Sequence, residues 1–370
     1  MTKAAELAKM GEVLANGQIG GRRNIVYNGA MNVAQRATSV TGLGGTNNDY
    51  QTVDRFKLIA TSTAGRVTMS QADSGLNGFK KCLKLQVTTA DTSIASGELF
   101  GISQAIEGQD LQQLKKGTSD AEQITLSYYV KGNATANYSV EISDQDNTRH
   151  NTQSFSVTTG WVRKTHTFAA DTTGALDNDN AASLQIAWFL HAGSDFNGGT
   201  FTENTWASRT NANRVDSNDT SIFDSTDRTF EITGVQLEVG SVATPFEHRS
   251  YGEELTLCHR YYQQVGDVTT SHTEPLADFF FADATDAMST YRFYVPMRAA
   301  PTLTTTGTAA DYKIYTNNTN IALSSVPAIS SANIETGFLS MAVSSGGTAG
   351  EGGTMQGNSD PAFLGFNAEL

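Results

Sequence analysis

Short segments in which apolar and polar residues alternate run through most of the chain. Between residues 123 and 131 every second residue is apolar, namely Ile124, Leu126, Tyr128 and Val130. A period of two is typical of a β-strand with one packed face and one open face. The same pattern predicts strands at 53–60, 83–89, 138–143, 183–191 and 229–239. In the last of these, the alternation keeps its register only if Gly234 forms a bulge.

These segments and the polar turns between them extend from about residue 24 to residue 248. Many short strands at this spacing predict a two-sheet sandwich. Two longer segments, 171–181 and 197–227, are rich in Asn, Asp, Thr and Gly and cannot bury enough apolar surface to be strands. We predict that both are surface loops, and the second is long enough to be functional.

Helical spacing of apolar residues occurs at the N-terminus. Leu7, Met10 and Leu14 form one narrow apolar seam in a segment of good helix formers. Because so short a helix is marginal on its own in water, it needs a partner surface. Residues 1–23 are therefore predicted to be a helical anchor that docks on another chain. An intramolecular helix and a flexible tail are the alternatives.

A second unit is predicted after residue 249. Tyr251, Leu255, Cys258 and Tyr262 recur at helical spacing and predict a helix over about 253–263, followed by strands at 277–281 and 289–295. The glycine-rich segment 346–357 is predicted to be a flexible loop before a final docked strand in 361–370. The predicted fold is mainly β, with a sandwich over 24–248 and a smaller C-terminal β domain over 249–370.

Composition and charge narrow the possible partners. With 25 basic and 38 acidic residues the chain carries a net charge of -13, so we expect no nucleic acid partner. Residues 1–17 contain no apolar core of about seven residues, and no segment approaches the roughly 18 apolar residues of a membrane span. We therefore expect neither a signal peptide nor membrane insertion. Cys82 and Cys258 are predicted to be packed thiols.

Candidate chemistry is sparse. The sequence contains no Gly-x-Ser-x-Gly turn, no His-Glu-x-x-His motif and no Gly-rich phosphate loop. Its six histidines are scattered. Asp177 and Asp179 lie two residues apart in a polar run. This spacing does not place two carboxylates on the two faces of a sugar, as glycoside hydrolysis requires. The run also lacks the residue pattern of a helix-loop-helix calcium site. We predict a protein that is not an enzyme and that has no cofactor and no metal site.

Three segments of the chain carry longer motifs. The first is Asn24-Ile-Val-Tyr-Asn-Gly-Ala-Met-Asn-Val-Ala-Gln-Arg36 with Tyr50-Gln-Thr-Val-Asp-Arg-Phe56. It resembles the opening of tail fibre and appendage proteins of bacteriophages. The second, Gly234-Val-Gln-Leu-Glu-Val-Gly-Ser-Val-Ala-Thr-Pro-Phe-Glu247, is similar to the last strand of the carbohydrate-binding jelly rolls in such fibres. The third runs from Arg249 to Tyr262. Together they cover about residues 24–262.

This resemblance implies a jelly-roll sandwich and a virion adhesin that forms a homotrimer. The N-terminal segment would contact other virion proteins, and the β domains would contact host surface polysaccharide. The protein would be located in the virion after assembly in the host bacterial cytoplasm. The alternatives are a purely structural virion component, such as a head decoration, collar or baseplate protein, and a carbohydrate-binding module of a secreted enzyme.

Strand alternation indicates candidate ligand-binding residues in the sandwich. Tyr129 and Phe189 follow the core residues Tyr128 and Trp188, so they are predicted to point away from the core. Trp206, in the long polar loop, lies among Asn and Thr residues that can hydrogen-bond a sugar while the indole stacks on its ring. Exposed aromatic residues in a trimer also commonly cover a subunit interface, so that reading stays open.

Overall fold

The computed structural model describes Lys3 and residues 22–266, 274–358 and 362–370. The chain forms two compact units. The N-terminal unit contains residues 38–251 with the described part of 1–34, and the C-terminal unit contains residues 35–37 with the described part of 252–370. Leu7, Met10 and Leu14 of the predicted anchor lie outside the described residues.

The N-terminal unit is a jelly-roll β-sandwich. Its strands are β1 (Ser39–Gly45), β2 (Lys57–Thr61), β3 (Thr63–Leu76), β4 (Phe79–Thr89), β5 (Leu99–Glu107), β6 (Ile124–Gly132), β7 (Ala136–Asp144), β8 (Arg149–Val157), β9 (Val162–Phe168), β10 (Ala182–Ala192), β11 (Ala207–Ser208) and β12 (Thr229–Val239). Sheet A has the order β1-β3-β4-β12-β6-β9 and sheet B the order β11-β8-β7-β10-β5-β2. All neighbouring strands in the two sheets run antiparallel.

The core of this unit lies between the two sheets and is built by the predicted alternation. Ile124, Leu126, Tyr128 and Val130 are buried in it, together with Trp188. The predicted bulge is present, because the register of β12 on β6 shifts between Thr233 and Gln236. Gly234, between them, has a φ of +63°. Glycine adopts this backbone conformation without the steric cost that a side chain brings.

The C-terminal unit contains a three-stranded and a seven-stranded sheet. Its elements are α2 (Tyr251–His259), counted after α1 (Ser194–Asn197) of the first unit, and β13 (Tyr262–Val265), β14 (Pro275–Phe281), β15 (Asp286–Arg292), β16 (Thr302–Thr304), β17 (Tyr312–Thr316), β18 (Thr319–Ala322), β19 (Ala328–Ala332), β20 (Thr336–Ala342), β21 (Gly352–Gly357) and β22 (Leu364–Asn367). Sheet C has the order β13-β22-β16, and sheet D has the order β18-β17-β21-β14-β15-β20-β19.

Two predictions for this unit need correction. The helix ends at His259 rather than near residue 263, because Tyr262 and the next residues pair with β22. The segment 346–357 is not a loop throughout, since β21 lies inside sheet D between β14 and β17. Its one large apolar side chain, Met355, is fully buried there. The predicted final strand is present as β22, which pairs with β13 and β16.

No helix in the described ranges is both long and apolar enough to cross a membrane.

Candidate functional site

Tyr129 points away from the sandwich core, as alternation predicts, but it is half-buried. Its ring centroid lies 5.3 Å from that of Phe79, and the Phe79 ring lies 5.0 Å from Phe246 and 5.2 Å from His248. The chain after β12 thus folds back over this part of sheet A. Tyr129 belongs to a packed aromatic group, and its ring is not an isolated surface platform.

The prediction that Phe189 faces solvent is wrong. Phe189 does point away from the main core, yet it is 0% exposed. It packs in a separate small cluster with Val215, and the Arg214 guanidinium lies 4.9 Å from its ring centroid. The segment 193–221, most of which belongs to the surface loop predicted over 197–227, covers the outer face of sheet B.

Polar contacts hold this segment, which we name the covering loop (residues 193–221), against sheet B. Arg214 forms a two-point ion pair with the buried Glu141 at 2.7 and 3.0 Å. The Ser139 hydroxyl donates to Asp219 at 2.6 Å, and the Thr220 amide donates to the carbonyl of Asn137 at 2.8 Å. Burial alone would raise the pKa of Glu141, but Arg214 and His150 hold it below its ordinary value.

Trp206 is half-buried and packs against the main core. Its indole nitrogen donates to the carbonyl of Ala169 at 2.7 Å, and the Lys116 ammonium lies 5.4 Å from its ring centroid. The structure therefore does not bring the three predicted ligand residues together. Tyr129 and Phe189 lie on opposite outer faces of the sandwich, and Trp206 packs against its core.

A more open arrangement occurs on sheet D, where one face packs on the core of the C-terminal unit and the other is exposed. Cross-strand partners and residues two apart share a side of a sheet. By this rule Asp278, Thr354 and Tyr315 form a row across three strands, because Thr354 is paired with both others. Phe280 lies two residues from Asp278 on the same side. Phe280 is 48% exposed and Tyr315 is 39% exposed.

A cleft opens in this face where β14 and β15 separate. The two strands pair at Phe280 with Met288 and at Phe281 with Ala287, and beyond these pairs they diverge. The cleft encloses about 300 Å³, at the lower end of typical ligand pockets. Its lining comes from both strands: Pro275, Leu276, Ala277, Asp278, Ser289, Thr290, Tyr291 and Arg292.

The cleft combines an apolar floor with a charged and hydroxyl-bearing rim. Leu276 is buried at the floor, whereas Asp278, Thr290 and Arg292 are exposed. The Tyr291 ring stacks on Phe366 at 4.5 Å, and both its burial and its contact with Tyr294 raise the pKa of its hydroxyl. That hydroxyl therefore stays protonated. The rim can both donate and accept hydrogen bonds, as recognition of a hydroxyl-rich ligand requires.

Sequence reasoning did not find this site. Alternation within β15 does place Thr290 and Arg292 on one side of a strand. The separation of β14 from β15, however, depends on pairing with β21 and β20, and no local pattern reports it.

The fold defines an antiparallel β protein with a jelly-roll sandwich and a second β unit. No family model and no curated protein matches the chain. Among solved structures, it is similar to the tailspike protein 4 enzymatically active domain of Bacteriophage CBA120, with 12% identity and a TM-score of 0.28, over 58% of this chain and 21% of that one. It is also similar to the family 11 carbohydrate-binding module of Clostridium thermocellum, solved with a mixed-linked tetrasaccharide, with 11% identity, a TM-score of 0.29, and 56% and 99% of the two chains covered. The xylan-binding CBM22-1 domain of Paenibacillus barcinonensis Xyn10C gives 14% identity and a TM-score of 0.26, over 57% and 100%. At these identities and TM-scores the likenesses assign no function to this chain.

Proposed function

We propose that this protein is a bacteriophage virion appendage that attaches the particle to glycans on the host surface through the open face of sheet D. The observation that carries the proposal is the juxtaposition of exposed aromatic rings with a polar cleft. Phe280 and Tyr315 offer rings for stacking on the apolar face of a sugar. Asp278 and Arg292 offer charge-assisted hydrogen bonds to its hydroxyls.

The virion role is supported by the resemblance of residues 24–262 to phage appendage proteins. In this proposal the segment with Leu7, Met10 and Leu14 docks on other virion proteins, and deleting residues 1–17 prevents incorporation without unfolding the rest. The proposal also describes binding without cleavage. Release of reducing sugar from a polysaccharide that the pure protein binds would contradict that part.

The test measures binding of the full chain to an array of bacterial surface polysaccharides. Asp278→Asn should weaken binding to any polysaccharide captured by the wild type by roughly ten- to hundred-fold, since a hydrogen bond to a charged group contributes about 1.5–3 kcal/mol. Glu335→Gln is the matched control, because it neutralises an exposed acid in the turn between β19 and β20 and should bind like the wild type. If the wild type binds no polysaccharide, or if Asp278→Asn binds equally well, the glycan site is rejected.

A purely structural virion role is the second candidate, and the exposed apolar side chains of the same unit favour it. Phe280, Tyr294 and Ile334 are 48%, 58% and 46% exposed, and such residues also suit a protein interface. In that case the wild type should bind no polysaccharide, and Phe280→Ala should weaken assembly with other chains. The glycan-binding candidate instead predicts that Phe280→Ala weakens polysaccharide binding.

A further inference from the structure

Three potential metal ligands converge at one end of the jelly-roll sandwich, far from the cleft in sequence. Asp91 follows β4, Glu98 immediately precedes β5, and His191 lies near the end of β10. One ligand atom from each side chain lies within 4.8 Å of the other two. The three residues are 8%, 3% and 2% exposed, so the cluster is buried.

The charge of this cluster is not balanced by basic side chains. In the described part of the chain, no lysine or arginine forms an ion pair with Asp91 or Glu98. Only His191 approaches, with its Nε2 atom 3.0 Å from Oε2 of Glu98. Burying two carboxylates beside one imidazole is costly unless a cation neutralises them.

Asp91 carries the second observation. Its Oδ1 accepts a hydrogen bond from the Ser93 amide at 3.1 Å. Its Oδ2 is buried and has no hydrogen-bond partner among the residues that the structure describes. Buried carboxylate oxygens are rarely left unsatisfied, and a metal ion satisfies such an oxygen without needing a donor hydrogen.

The surroundings of His191 suit a ligand role. Its Nδ1 lies 2.7 Å from the Ser221 hydroxyl, which also accepts from the Phe223 amide at 3.0 Å. A hydrogen bond to the second ring nitrogen is the usual way in which proteins orient a metal-bound imidazole. When Nδ1 donates to Ser221, the lone pair of Nε2 faces the two carboxylates.

We propose that Asp91, Glu98 and His191 form a structural binding site for a divalent transition-metal ion, with Zn²⁺ as the ion that this ligand set fits best. Zn²⁺ binds imidazole nitrogen and carboxylate oxygen at about 2.0–2.2 Å, whereas Ca²⁺ and Mg²⁺ prefer sites made wholly of oxygen. In this proposal the ion joins β10 to the segment that connects β4 of sheet A with β5 of sheet B. Through Ser221 it also restrains the end of the covering loop.

The experiment uses the full chain, stripped with a chelator and titrated calorimetrically with ZnCl2. Wild type should bind one Zn²⁺ per chain, and its melting temperature should rise on Zn²⁺ addition by several degrees. Asp91→Asn keeps the shape of the side chain but removes its negative charge. It should weaken Zn²⁺ binding at least about a hundred-fold. It should also lose the thermal shift, since even indirect perturbation of a metal ligand costs about 10- to 100-fold.

Asp195→Asn is the matched control, because Asp195 is an exposed acid in α1, a few residues after His191, and its carboxylate accepts a hydrogen bond from the Ser96 hydroxyl. It should bind Zn²⁺ like the wild type. The proposal is overturned if stripped wild type takes up no Zn²⁺, or if Asp91→Asn binds it as tightly as wild type. Binding of CaCl2 or MgCl2 in preference to ZnCl2 would overturn the assignment to a transition metal.

Discussion

Gly234 lies beneath two aromatic rings at the bulge of β12, where its φ is +63°. A Cβ atom at this position would lie 2.8 Å from the Phe79 ring and 2.9 Å from the Tyr129 ring. Both contacts are closer than van der Waals packing permits. The bulge therefore depends on glycine for its backbone conformation and also for the space that the rings occupy.

Gly234→Ala should accordingly lower the free energy of unfolding of the sandwich by about 2–3 kcal/mol, combining backbone strain with overpacking. Chemical denaturation followed by tryptophan fluorescence measures the change. Gly160→Ala is the control, because a Cβ there meets nothing within 4 Å and its φ is not positive. That variant should stay within about 0.5 kcal/mol of wild type. Equal stability of the two variants would show that the rings can move aside.

At the scale of elements, the covering loop decides whether the outer face of sheet B is exposed or buried. Ser139 and Glu141 of β7 point outward from the core and are nevertheless fully buried, because the loop closes over them. Its sequence is polar, so hydrogen bonds and one ion pair hold it in place, with Val215 and Phe196 as its apolar contacts on Phe189. The segment contains the short α1 and β11, but most of its backbone is irregular, and it still contributes to the packing of the sheet.

Arg214→Ala should therefore destabilise the sandwich by about 3–5 kcal/mol near neutral pH, because Glu141 would stay buried without its main counter-charge. The paired Glu141 has a lowered pKa, so its stabilising effect is present above the ordinary carboxyl pKa and is lost as the pH falls through the lowered value. The deficit of the variant should shrink as the pH falls through that lowered value, because Glu141 then becomes neutral in the wild type as well.

Limited proteolysis provides a second measurement, with cleavage expected in residues 193–221 of Arg214→Ala. The control is Arg209→Ala, which removes a hydrogen bond to the neutral Gln145 side chain at 3.0 Å from the same loop. It should cost at most about 1 kcal/mol. If both variants lose the same stability at pH 7, the Arg214 and Glu141 pair does not hold the loop.

At the scale of the whole molecule, each unit has its own hydrophobic core. β18 and β19 stand at the two edges of sheet D, and edge strands of this kind readily pair with other chains unless they are covered. The exposed Tyr294 and Ile334 lie in the same unit. These features suit association with other chains, and a homotrimer is the assembly that the phage resemblance implies.

The homotrimer predicts a light-scattering mass of three chains at micromolar concentration. It should persist in high salt, because salt weakens contacts between exposed charges and leaves apolar ones intact. The Asp278→Asn and Glu335→Gln variants serve as controls, since neither removes apolar surface and both should keep the mass of the parent. A single-chain mass at this concentration would contradict the proposed assembly.

The local pattern alone predicted several strands of the sandwich and the direction of their side chains. Period-2 alternation places Tyr128 and Trp188 in the core and Tyr129 and Phe189 on the far side, and the bulge at Gly234 follows from the same pattern. Each of these depends on residues adjacent in the chain, which is why sequence reports them.

Only the tertiary structure decided what covers each face and which distant residues meet. Phe189 is buried by the covering loop, whose Val215 lies 26 residues further along the chain. β21 becomes a strand because β14 and β17 supply partners to a glycine-rich segment. A Cβ at Gly353 would lie 2.3 Å from the carbonyl oxygen of Tyr315. The glycines from which a flexible loop was predicted therefore allow neighbouring strands to approach closely. Asp91, Glu98 and His191 likewise meet through sheet topology, since long-range contacts leave no periodic signal in the chain.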